Sequence, residues 1–297
     1  DCQIIAIGRN KQRALIEFSK YLSSQQFIFL THDINNPLNN LISDKVDFVI
    51  HLASNTHPQM YATEPINTIT ANIIGTKNLL DFCIEHSVRR FVFASSNEIY
   101  GENRGDVDLF DEQYCGYINP NTLRAGYPES KRCGEALCQA YGVQKGIEFV
   151  IPRFTRSYGP TMLINDTKAI SQFIKNGIKG ENIVLKSAGL QNYSYTYVAD
   201  AVSGLLYALL LGKSGEAYNI ADESANVTLK SLAQKIAETA HTKVIFQEPS
   251  KLEQSGYSKA TKALLDGSKL RGLGWNALYD IDTGIKRTMQ ILKLTSC

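Results

Sequence analysis

The amino-acid sequence predicts an α/β protein in which a doubly wound parallel sheet is followed by a smaller C-terminal lobe. In the first half, short runs rich in β-branched residues alternate with longer amphipathic segments, the pattern of strand–helix–strand units. The short runs lack strict apolar–polar alternation, as expected for strands that are buried on both faces. A chain of 297 residues can form one large or two modest domains, so its length fits this architecture.

The predicted elements of the first half follow one another in βα order. Strands are expected at residues 3–7, 27–30, 46–52, 91–95 and 148–152. A helix is predicted over 66–86 because its apolar residues recur at helical spacing. A second helix is predicted over 125–143, where Pro128 is tolerated because it lies near the first turn.

Beyond residue 160 the pattern becomes less regular, and Gly and Asn separate short segments, for example at Asn176-Gly177. Helices are still predicted over 198–211 and 229–241, and one more strand over 217–220. We therefore expect a first domain over residues 1–160 and a second lobe over 161–297, with some elements of the second part returning to the first domain.

Composition and charge exclude several classes of protein. The 31 basic and 29 acidic side chains give a net charge of +2, which provides no electrostatic footprint for nucleic acid or an anionic membrane. The longest apolar stretch is about half of a bilayer span, so no transmembrane segment is predicted. The six cysteines lack the spacing of a zinc site, and their apolar surroundings indicate reduced thiols and a cytoplasmic location. The histidines are isolated in the sequence, so no metal site is predicted.

The sharpest local feature is the segment Tyr127-Pro-Glu-Ser-Lys131. On a helix, a spacing of four residues places the two side chains one turn apart on the same face. An ammonium beside a phenol favours the phenolate, so we expect Lys131 to lower the pKa of Tyr127 from its usual value of about 10. Such a tyrosine can remove the proton of a sugar hydroxyl while hydride leaves the same carbon for a nicotinamide ring.

The context of this pair distinguishes it from a second match to the same spacing, Tyr141 and Lys145. The predicted strand upstream of Tyr127 ends in a small polar cluster formed by Ser96, Asn97 and Glu98. Ligands bind beyond the C-terminal ends of strands in open parallel sheets, so this cluster lies where a substrate is expected. The second pair falls at the end of a predicted helix between glycines, where no site is expected.

Several segments resemble, in register, the extended short-chain dehydrogenase/reductases that modify nucleotide sugars. The matching segments are Asp33-Ile34, His51-Leu-Ala-Ser54, Asn72-Ile-Ile-Gly-Thr-Lys-Asn-Leu-Leu80, Ser95-Ser96-Asn97-Glu98-Ile-Tyr-Gly101, Tyr127 with Lys131, Arg153 through Tyr158-Gly159-Pro160, Tyr197-Val-Ala-Asp200, Ala217-Tyr-Asn-Ile220 and Leu273-Gly-Trp275. The resemblance covers nearly the whole chain. It implies a Rossmann-like fold in which residues 1–160 bind NAD and residues 161–297 mainly bind the nucleotide sugar.

The resemblance also implies roles for individual residues. The expected catalytic residues are Ser96, Glu98, Tyr127 and Lys131. The residues expected to bind the cofactor are Arg9, Asp33, Ile34, Leu52, Ala53, Ser54, Asn72, Ser95, Tyr127 and Lys131, with Asn72 supporting the lysine. The residues expected to bind the nucleotide-diphosphate sugar are Ser96, Asn97, Arg156, Lys186 and Tyr193. The predicted helices 66–86 and 125–143 resemble those through which the family forms homodimers, and apolar residues recur on more than one face of the first, so a homodimer is expected.

The chain departs from the family's pattern at its beginning. It lacks the glycine-rich turn that receives the pyrophosphate, and it starts at what resembles the second strand of the family's sheet. We therefore expect the natural protein to carry roughly 30 more residues at its N-terminus, about the size of one βα unit. The strand in that unit is central in this topology, and without it two strands expose unpaired edges.

Two further departures concern ligand binding. Arg9 stands where NAD-dependent members usually have an aspartate, so NADP is possible; NAD is favoured because members that regenerate the cofactor in each cycle generally use it. Tyr193 and Arg156 replace the family's arginine clamp and asparagine, respectively. We expect Arg156 or Lys186 to bind the diphosphate or a sugar carboxylate instead.

The resemblance implies oxidation of a sugar carbon, usually C4, and leaves the next step open. Simple 4-epimerases have small residues at the positions of Asn97 and Glu98, whereas 4,6-dehydratases and uronate decarboxylases carry a glutamate at the position of Glu98. Glu98 therefore favours a lyase over an epimerase. Asn97 cannot donate a proton as a carboxylic acid does, and the sequence does not separate the two lyases. A non-catalytic nucleotide-sugar-binding protein is a further alternative, which the intact Ser96, Tyr127 and Lys131 oppose.

Overall fold

The computed structural model describes residues 2–38, 41–56, 58–163, 166–250 and 261–295. The strands are β1 (Ile4–Gly8), β2 (Phe27–Thr31), β3 (Phe48–His51), β4 (Arg90–Phe93), β5 (Ser95–Ser96), β6 (Phe149–Phe154), β7 (Arg156–Tyr158), β8 (Ile183–Leu185), β9 (Asn192–Tyr197), β10 (Ala217–Ile220), β11 (Asn226–Thr228), β12 (Val244–Phe246) and β13 (Lys262–Ala263). The α-helices are α1 (Lys11–Glu17), α2 (Pro58–Thr63), α3 (Pro65–Glu85), α4 (Gly126–Lys145), α5 (Ala169–Ile178), α6 (Val198–Leu211), α7 (Leu229–Ala240), α8 (Ser268–Arg271) and α9 (Ile281–Thr295).

The first half of the chain contains parallel sheets, which confirms the predicted fold class. β1 pairs with β2, and a larger sheet has the order β10-β6-β4-β3, with β5 also pairing with β6; every pairing in these two sheets is parallel. The single strand predicted over 91–95 is interrupted at Ala94, which separates β4 from β5. The backbone N–H of Ala94 donates to the carbonyl of His51, and its own carbonyl accepts from Lys131.

Among the described residues, β1 and β3 each pair with a neighbour on one side only. β1 pairs with β2 alone and β3 with β4 alone. Ile4 of β1 and Ile50 of β3 are 54% and 38% exposed, whereas Phe91 in the middle of the larger sheet is fully buried. Both strands therefore carry unpaired backbone groups along one side within the described residues. The two sheets share one apolar core, because Ile5 of β1 packs against the same cluster as Phe91.

Helices α3 and α4 pack against each other beside the larger sheet and begin and end within two residues of their predicted bounds. α3 begins with a proline in its first turn, and α4 ends at Gly146, whose φ of 73° is left-handed. On α4, a Cβ atom at Gly134 would collide with the ring of Phe93 on β4. The glycine therefore lets α4 lie close to the sheet, with its first turns at the carboxyl ends of the central strands.

The C-terminal part of the chain builds a second lobe around β9. This strand pairs with β7 and β13 in parallel and with β11 antiparallel, and its tyrosines belong to a large apolar cluster with α5 and α7. β10 and α6 belong to the first half instead: β10 pairs with β6, and Leu205 of α6 packs with Val150 of β6. No α-helix within the described ranges is both long and apolar enough to cross a membrane.

Candidate active site

The residues predicted to be catalytic converge where β5 ends and α4 begins. Ser96 closes β5, Glu98 lies in the following 3-10 helix Asn97–Tyr100, and Tyr127 and Lys131 lie in the first two turns of α4. Ser96 lies close enough to Tyr127 for hydrogen bonding between their side chains to lower the pKa of the phenol. Tyr127 is 6% exposed and Lys131 is 3% exposed. The structure therefore brings these residues together in one largely buried cluster.

The ammonium group of Lys131 is held at the sheet. Its Nζ donates to the carbonyl oxygen of Ala94 at 2.8 Å and lies 4.8 Å from the ring centre of Phe93. Burial lowers the pKa of Lys131 to about 7, and the negative charge of Glu135 opposes this change. Loss of water thus dominates the titration of this lysine.

The expected effect of Lys131 on Tyr127 is wrong for this state of the protein. Burial raises the pKa of Tyr127 to about 12, and the charge of Glu98 adds to the rise, while the hydrogen bond with Ser96 lowers it. The prediction considered only the charge of Lys131 one turn away and not the burial of either side chain. In the structure both groups are removed from water, and the ammonium donates to Ala94 rather than to the phenol. Tyr127 is consequently a neutral phenol at neutral pH.

Two residues that the sequence analysis did not identify extend this cluster. Nη2 of Arg124 donates to both carboxylate oxygens of Glu98, at 2.7 and 2.6 Å. The guanidinium of Arg124 lies 4.6 Å from the ring centre of Tyr61, and this ring stacks on Tyr127 with a centroid separation of 4.7 Å. Tyr61 also hydrogen-bonds to Tyr127. A continuous path of charged and aromatic groups therefore joins Glu98 to the candidate base.

The amino-acid sequence marks the position of Arg124 but not that of Tyr61. Arg124 lies in the 3-10 helix Leu123–Ala125, three residues before Tyr127. Its closeness in sequence to the Tyr127 motif is therefore a signal that could have identified it. Tyr61 belongs to α2, 66 positions from Tyr127, and no motif in the sequence marks it. Only the packing of α2 against the 3-10 helix before α4, and the stacking of its ring on Tyr127, identify it.

Two of the predicted substrate residues, Asn97 and Arg156, line a cleft next to Glu98, whereas Ser96 and Tyr193 are not part of its lining. Its lining includes Asn97, Glu98, Arg124 and Arg156. The guanidinium of Arg156 on β7 lies 3.5 Å from the ring centre of Tyr193 on β9, so the two residues that replace the family's pattern are in direct contact. Lys186 directly follows β8 and is not among the residues that line this cleft.

The residues predicted to bind the cofactor follow the carboxyl ends of parallel strands. Arg9 follows β1 and Asp33 follows β2, and their side chains are 3.8 Å apart. Leu52, Ala53 and Ser54 follow β3, and Leu52 is 61% exposed. Ile34 is buried against Gly75 of α3. The polar side chains of Arg9 and Asp33 can hydrogen-bond to a dinucleotide, and the exposed apolar side chain of Leu52 can pack against one of its flat rings.

Asn72, which is expected to support Lys131, hydrogen-bonds to the helical turn that carries the lysine. Its Nδ2 donates to Oγ of Ser130 at 3.0 Å, and Ser130 Oγ donates in turn to the carbonyl of Tyr127 at 2.9 Å. The Oδ1 of Asn72 is buried without a hydrogen-bond partner in the described residues. Asn72 therefore supports the helical turn that carries both Tyr127 and Lys131, and it keeps one acceptor open.

Comparison with known proteins agrees with this geometry. The sequence pattern of the NAD dependent epimerase/dehydratase family matches residues 2–221. UDP-glucuronic acid decarboxylase 1 from Xenopus tropicalis is 30% identical over 275 residues, which are 92% of this chain and 62% of that protein. UDP-glucuronic acid decarboxylase 3 from Arabidopsis thaliana is 35% identical over 219 residues, which are 74% of this chain and 61% of that protein. The chain thus spans less than two thirds of the length of these relatives.

Solved structures share the fold at lower sequence identity. UDP-glucuronic acid 4-epimerase from Bacillus cereus, in complex with UDP-glucuronic acid and NAD, superposes with a TM-score of 0.84 at 21% identity, over 99% of this chain and 91% of the other. The dTDP-glucose 4,6-dehydratase DesIV from Streptomyces venezuelae, with NAD bound, gives a TM-score of 0.81 at 23% identity, over 97% of this chain and 87% of the other. At these identities the likeness establishes the fold.

Proposed function

Because the chain belongs to the NAD dependent epimerase/dehydratase family, we propose that it is a nucleotide-sugar lyase that removes carbon dioxide from a nucleotide-linked uronic acid. The observation that carries this proposal is the cleft beside Tyr127 in which Glu98 is paired with Arg124 and Arg156 lies on the opposite lobe. Such a substrate carries two anionic groups, a diphosphate and a carboxylate, and guanidinium groups bind both well. The similarity to UDP-glucuronic acid decarboxylases supports the same choice.

Arg124 has donors left for a substrate carboxylate. Its Nη2 serves both oxygens of Glu98, and its Nε is buried without a partner in the described part of the chain. A buried guanidinium donor without a partner favours an anionic ligand. A dehydratase would instead need an acid to protonate a leaving hydroxyl, and the amide of Asn97 cannot supply that proton.

The proposed reaction uses the described residues in three roles. Tyr127, hydrogen-bonded to Ser96, takes the proton of the C4 hydroxyl as hydride leaves C4. Bound NAD would supply the acceptor and later the donor of this hydride, and the positive charge of its nicotinamide ring would favour the phenolate of Tyr127. The C4 ketone then makes the sugar a β-keto acid, so the electrons of the C5–C6 bond form the C4–C5 enolate as carbon dioxide leaves. C5 takes up one proton through Glu98, and C4 is reduced again with the proton of Tyr127.

We also propose the cofactor and the state of the protein. NAD is the proposed cofactor, with Asp33 and Ile34 on the adenine side and Tyr127 and Lys131 on the nicotinamide side. Arg9 pairs with Asp33 at 3.8 Å, but its side chain is 57% exposed and can still reach a 2′-phosphate, so NADP stays the alternative. The homodimer through α3 and α4 and the cytoplasmic location stay predictions.

The proposed activity is tested by mass analysis of reaction products. The full-length protein is incubated with NAD and, separately, UDP-glucuronate, UDP-glucose, dTDP-glucose and UDP-N-acetylglucosamine. We expect UDP-glucuronate to lose carbon dioxide and the neutral sugars to be unchanged. Loss of water from a neutral sugar would show a dehydratase. An unchanged mass with a new retention time would show an epimerase, and no change in any substrate would support the non-catalytic alternative.

Replacement of Arg156 tests its proposed role at the diphosphate or the carboxylate. Arg156→Ala is expected to raise KM for the nucleotide sugar roughly tenfold to a hundredfold and to change kcat little, because a charge-assisted hydrogen bond contributes about 1.5–3 kcal/mol to binding. Steady-state kinetics with the substrate identified above measure both constants. An unchanged KM would reject this role, and Lys186→Ala then tests the other candidate.

A further inference from the structure

A carboxylate outside the predicted catalytic set connects three elements around the active site. Glu135 lies on α4, one turn after Lys131. Its Oε1 accepts from Ser95 Oγ at 2.5 Å and from Arg153 Nε at 3.0 Å, and its Oε2 accepts from Arg153 Nη2 at 2.6 Å. The side chains of Arg153 and Glu135 are 9% and 14% exposed. A paired charge this deeply buried is costly, so the contacts it makes hold a defined geometry.

Arg153 extends the connection to the segment that carries Glu98. Its Nη1 donates to the hydroxyl of Tyr100 at 2.9 Å and to the carbonyl of Glu112 at 2.7 Å. Tyr100 is the last residue of the 3-10 helix that contains Glu98. Glu135 is thus linked through one guanidinium to the turn that follows β5, in addition to its direct bond to Ser95.

Two consecutive turns of α4 hydrogen-bond to two consecutive residues, Ala94 and Ser95, where β4 ends and β5 begins. Lys131 binds the carbonyl of Ala94, and Glu135, four residues later, binds the hydroxyl of Ser95. Ser96 follows immediately and contacts Tyr127 on the preceding turn of the same helix. The distance between Ser96 and Tyr127 is therefore set by two anchors on one helix face.

We propose that Glu135 is a positioning residue for the reaction: it fixes Ser96 and Glu98 relative to Tyr127 and is the counter-charge one turn from Lys131. This role rests on the proposed function for its effect on turnover. Its effect on Lys131 does not depend on any substrate.

The groups around Lys131 make Glu135 its counter-charge. The titratable side chains that interact with the ammonium are Glu135, Cys138 and His51. Burial raises the pKa of the Cys138 thiol and lowers the pKa of His51 to about 3, so both are neutral near pH 7. Glu135 raises the pKa of Lys131, so its neutralisation lowers that pKa and moves the alkaline loss of activity to lower pH.

The test compares Glu135→Gln with Glu148→Gln in the full-length protein. Glu148 is a matched control because it also pairs with an arginine, Arg90 at 2.9 Å, but it is 53% exposed and belongs to no contact of the site. Carbon-13 NMR of labelled lysines, with Lys131 assigned by its loss in Lys131→Arg, gives the pKa of Lys131 without substrate. We expect Glu135→Gln to lower this pKa and Glu148→Gln to leave it unchanged.

Turnover gives the second readout. With the substrate identified by product analysis, Glu135→Gln is expected to lower kcat roughly tenfold to a hundredfold with an unchanged KM, since misplacement of reacting groups costs about that much. The alkaline limb of its kcat profile should move to lower pH. An unchanged pKa of Lys131, or a kcat and pH profile equal to those of Glu148→Gln, would overturn the role.

The test also covers a wild-type protein that converts no substrate and a variant that does not fold. If the wild-type protein converts no substrate, the proposed function has failed, and the NMR titration alone decides the role of Glu135. If Glu135→Gln does not fold because Arg153 loses its partner, the double variant Glu135→Gln with Arg153→Gln removes both charges. The double variant is expected to lower the pKa of Lys131 and kcat in the same direction, and wild-type values in it would overturn the role.

Discussion

Tyr127→Phe is expected to lower kcat by about a hundredfold to ten-thousandfold, the usual contribution of a positioned acid–base group. The phenol is the group that exchanges a proton with the C4 hydroxyl, and phenylalanine keeps the buried ring that stacks on Tyr61. The variant should therefore fold and bind the nucleotide sugar with an unchanged Kd. Product mass analysis measures turnover, and calorimetric titration measures binding.

The second tyrosine with the same spacing provides the matched control. The hydroxyl of Tyr141 donates to Oδ1 of Asp81 on α3 at 2.7 Å, at the far end of α4 from Tyr127. Tyr141→Phe removes one partly exposed hydrogen bond and should leave kcat within about twofold of wild type, because it removes no group from the site. Full activity in Tyr127→Phe, or equal losses in both variants, would reject Tyr127 as the base.

Glu98→Gln is expected to separate oxidation from the later steps. The amide keeps the shape of the side chain, and its oxygen can still accept from Arg124, but it cannot carry a proton to C5. We expect formation of the decarboxylated product to fall by about a hundredfold, a common effect of losing a general acid or base. The C4–C5 enolate left after loss of carbon dioxide would then take its C5 proton from water. The released 4-keto sugar, two hydrogens lighter than the normal product, should be detected by mass at up to one equivalent per enzyme, matched by one equivalent of reduced cofactor.

The control for this variant is Glu129, an acid in the first turn of α4 close to Tyr127. Glu129 is 38% exposed and pairs with Arg132 at 3.4 Å, so Glu129→Gln should leave product formation unchanged. A 4-epimerase needs no further acid or base after oxidation. Wild-type turnover in Glu98→Gln would therefore contradict the lyase and favour epimerisation.

The regular elements were predictable from local sequence patterns. Helix α6 was predicted over 198–211 and is found as Val198–Leu211, because its apolar residues continue at helical spacing up to Gly212. α5 was missed because Asn176-Gly177 suggested a loop. Gly177 instead lies inside that helix, where a Cβ would come within 3.0 Å of Ala240, so packing rather than chain reversal requires the glycine.

The candidate site was predictable where a motif marks it. Ser96, Tyr127 and Lys131 lie in segments with recognisable spacing, and the structure brings them together. The contacts that set their charges join residues far apart in the chain, such as Arg124 with Glu98 and Arg153 with Glu135. Burial cannot be inferred from a spacing of four residues, and it is burial that reverses the expected pKa change of Tyr127.

The buried ammonium of Lys131 serves the proposed activity but lowers the free energy of unfolding near neutral pH. Its pKa is about 7 in the folded chain and about 10.4 in an unfolded one, so between these values the unfolded chain binds more protons. The contribution of Lys131 to the free energy of unfolding therefore rises with pH from about 7 to about 10.4. Below pH 7 the lysine is protonated in both states, and the folded chain bears the full cost of burying the charge. At neutral pH the remaining structure must offset a charge that the chemistry requires, so a neutral residue of similar size at this position would strengthen the fold while it disables the catalyst.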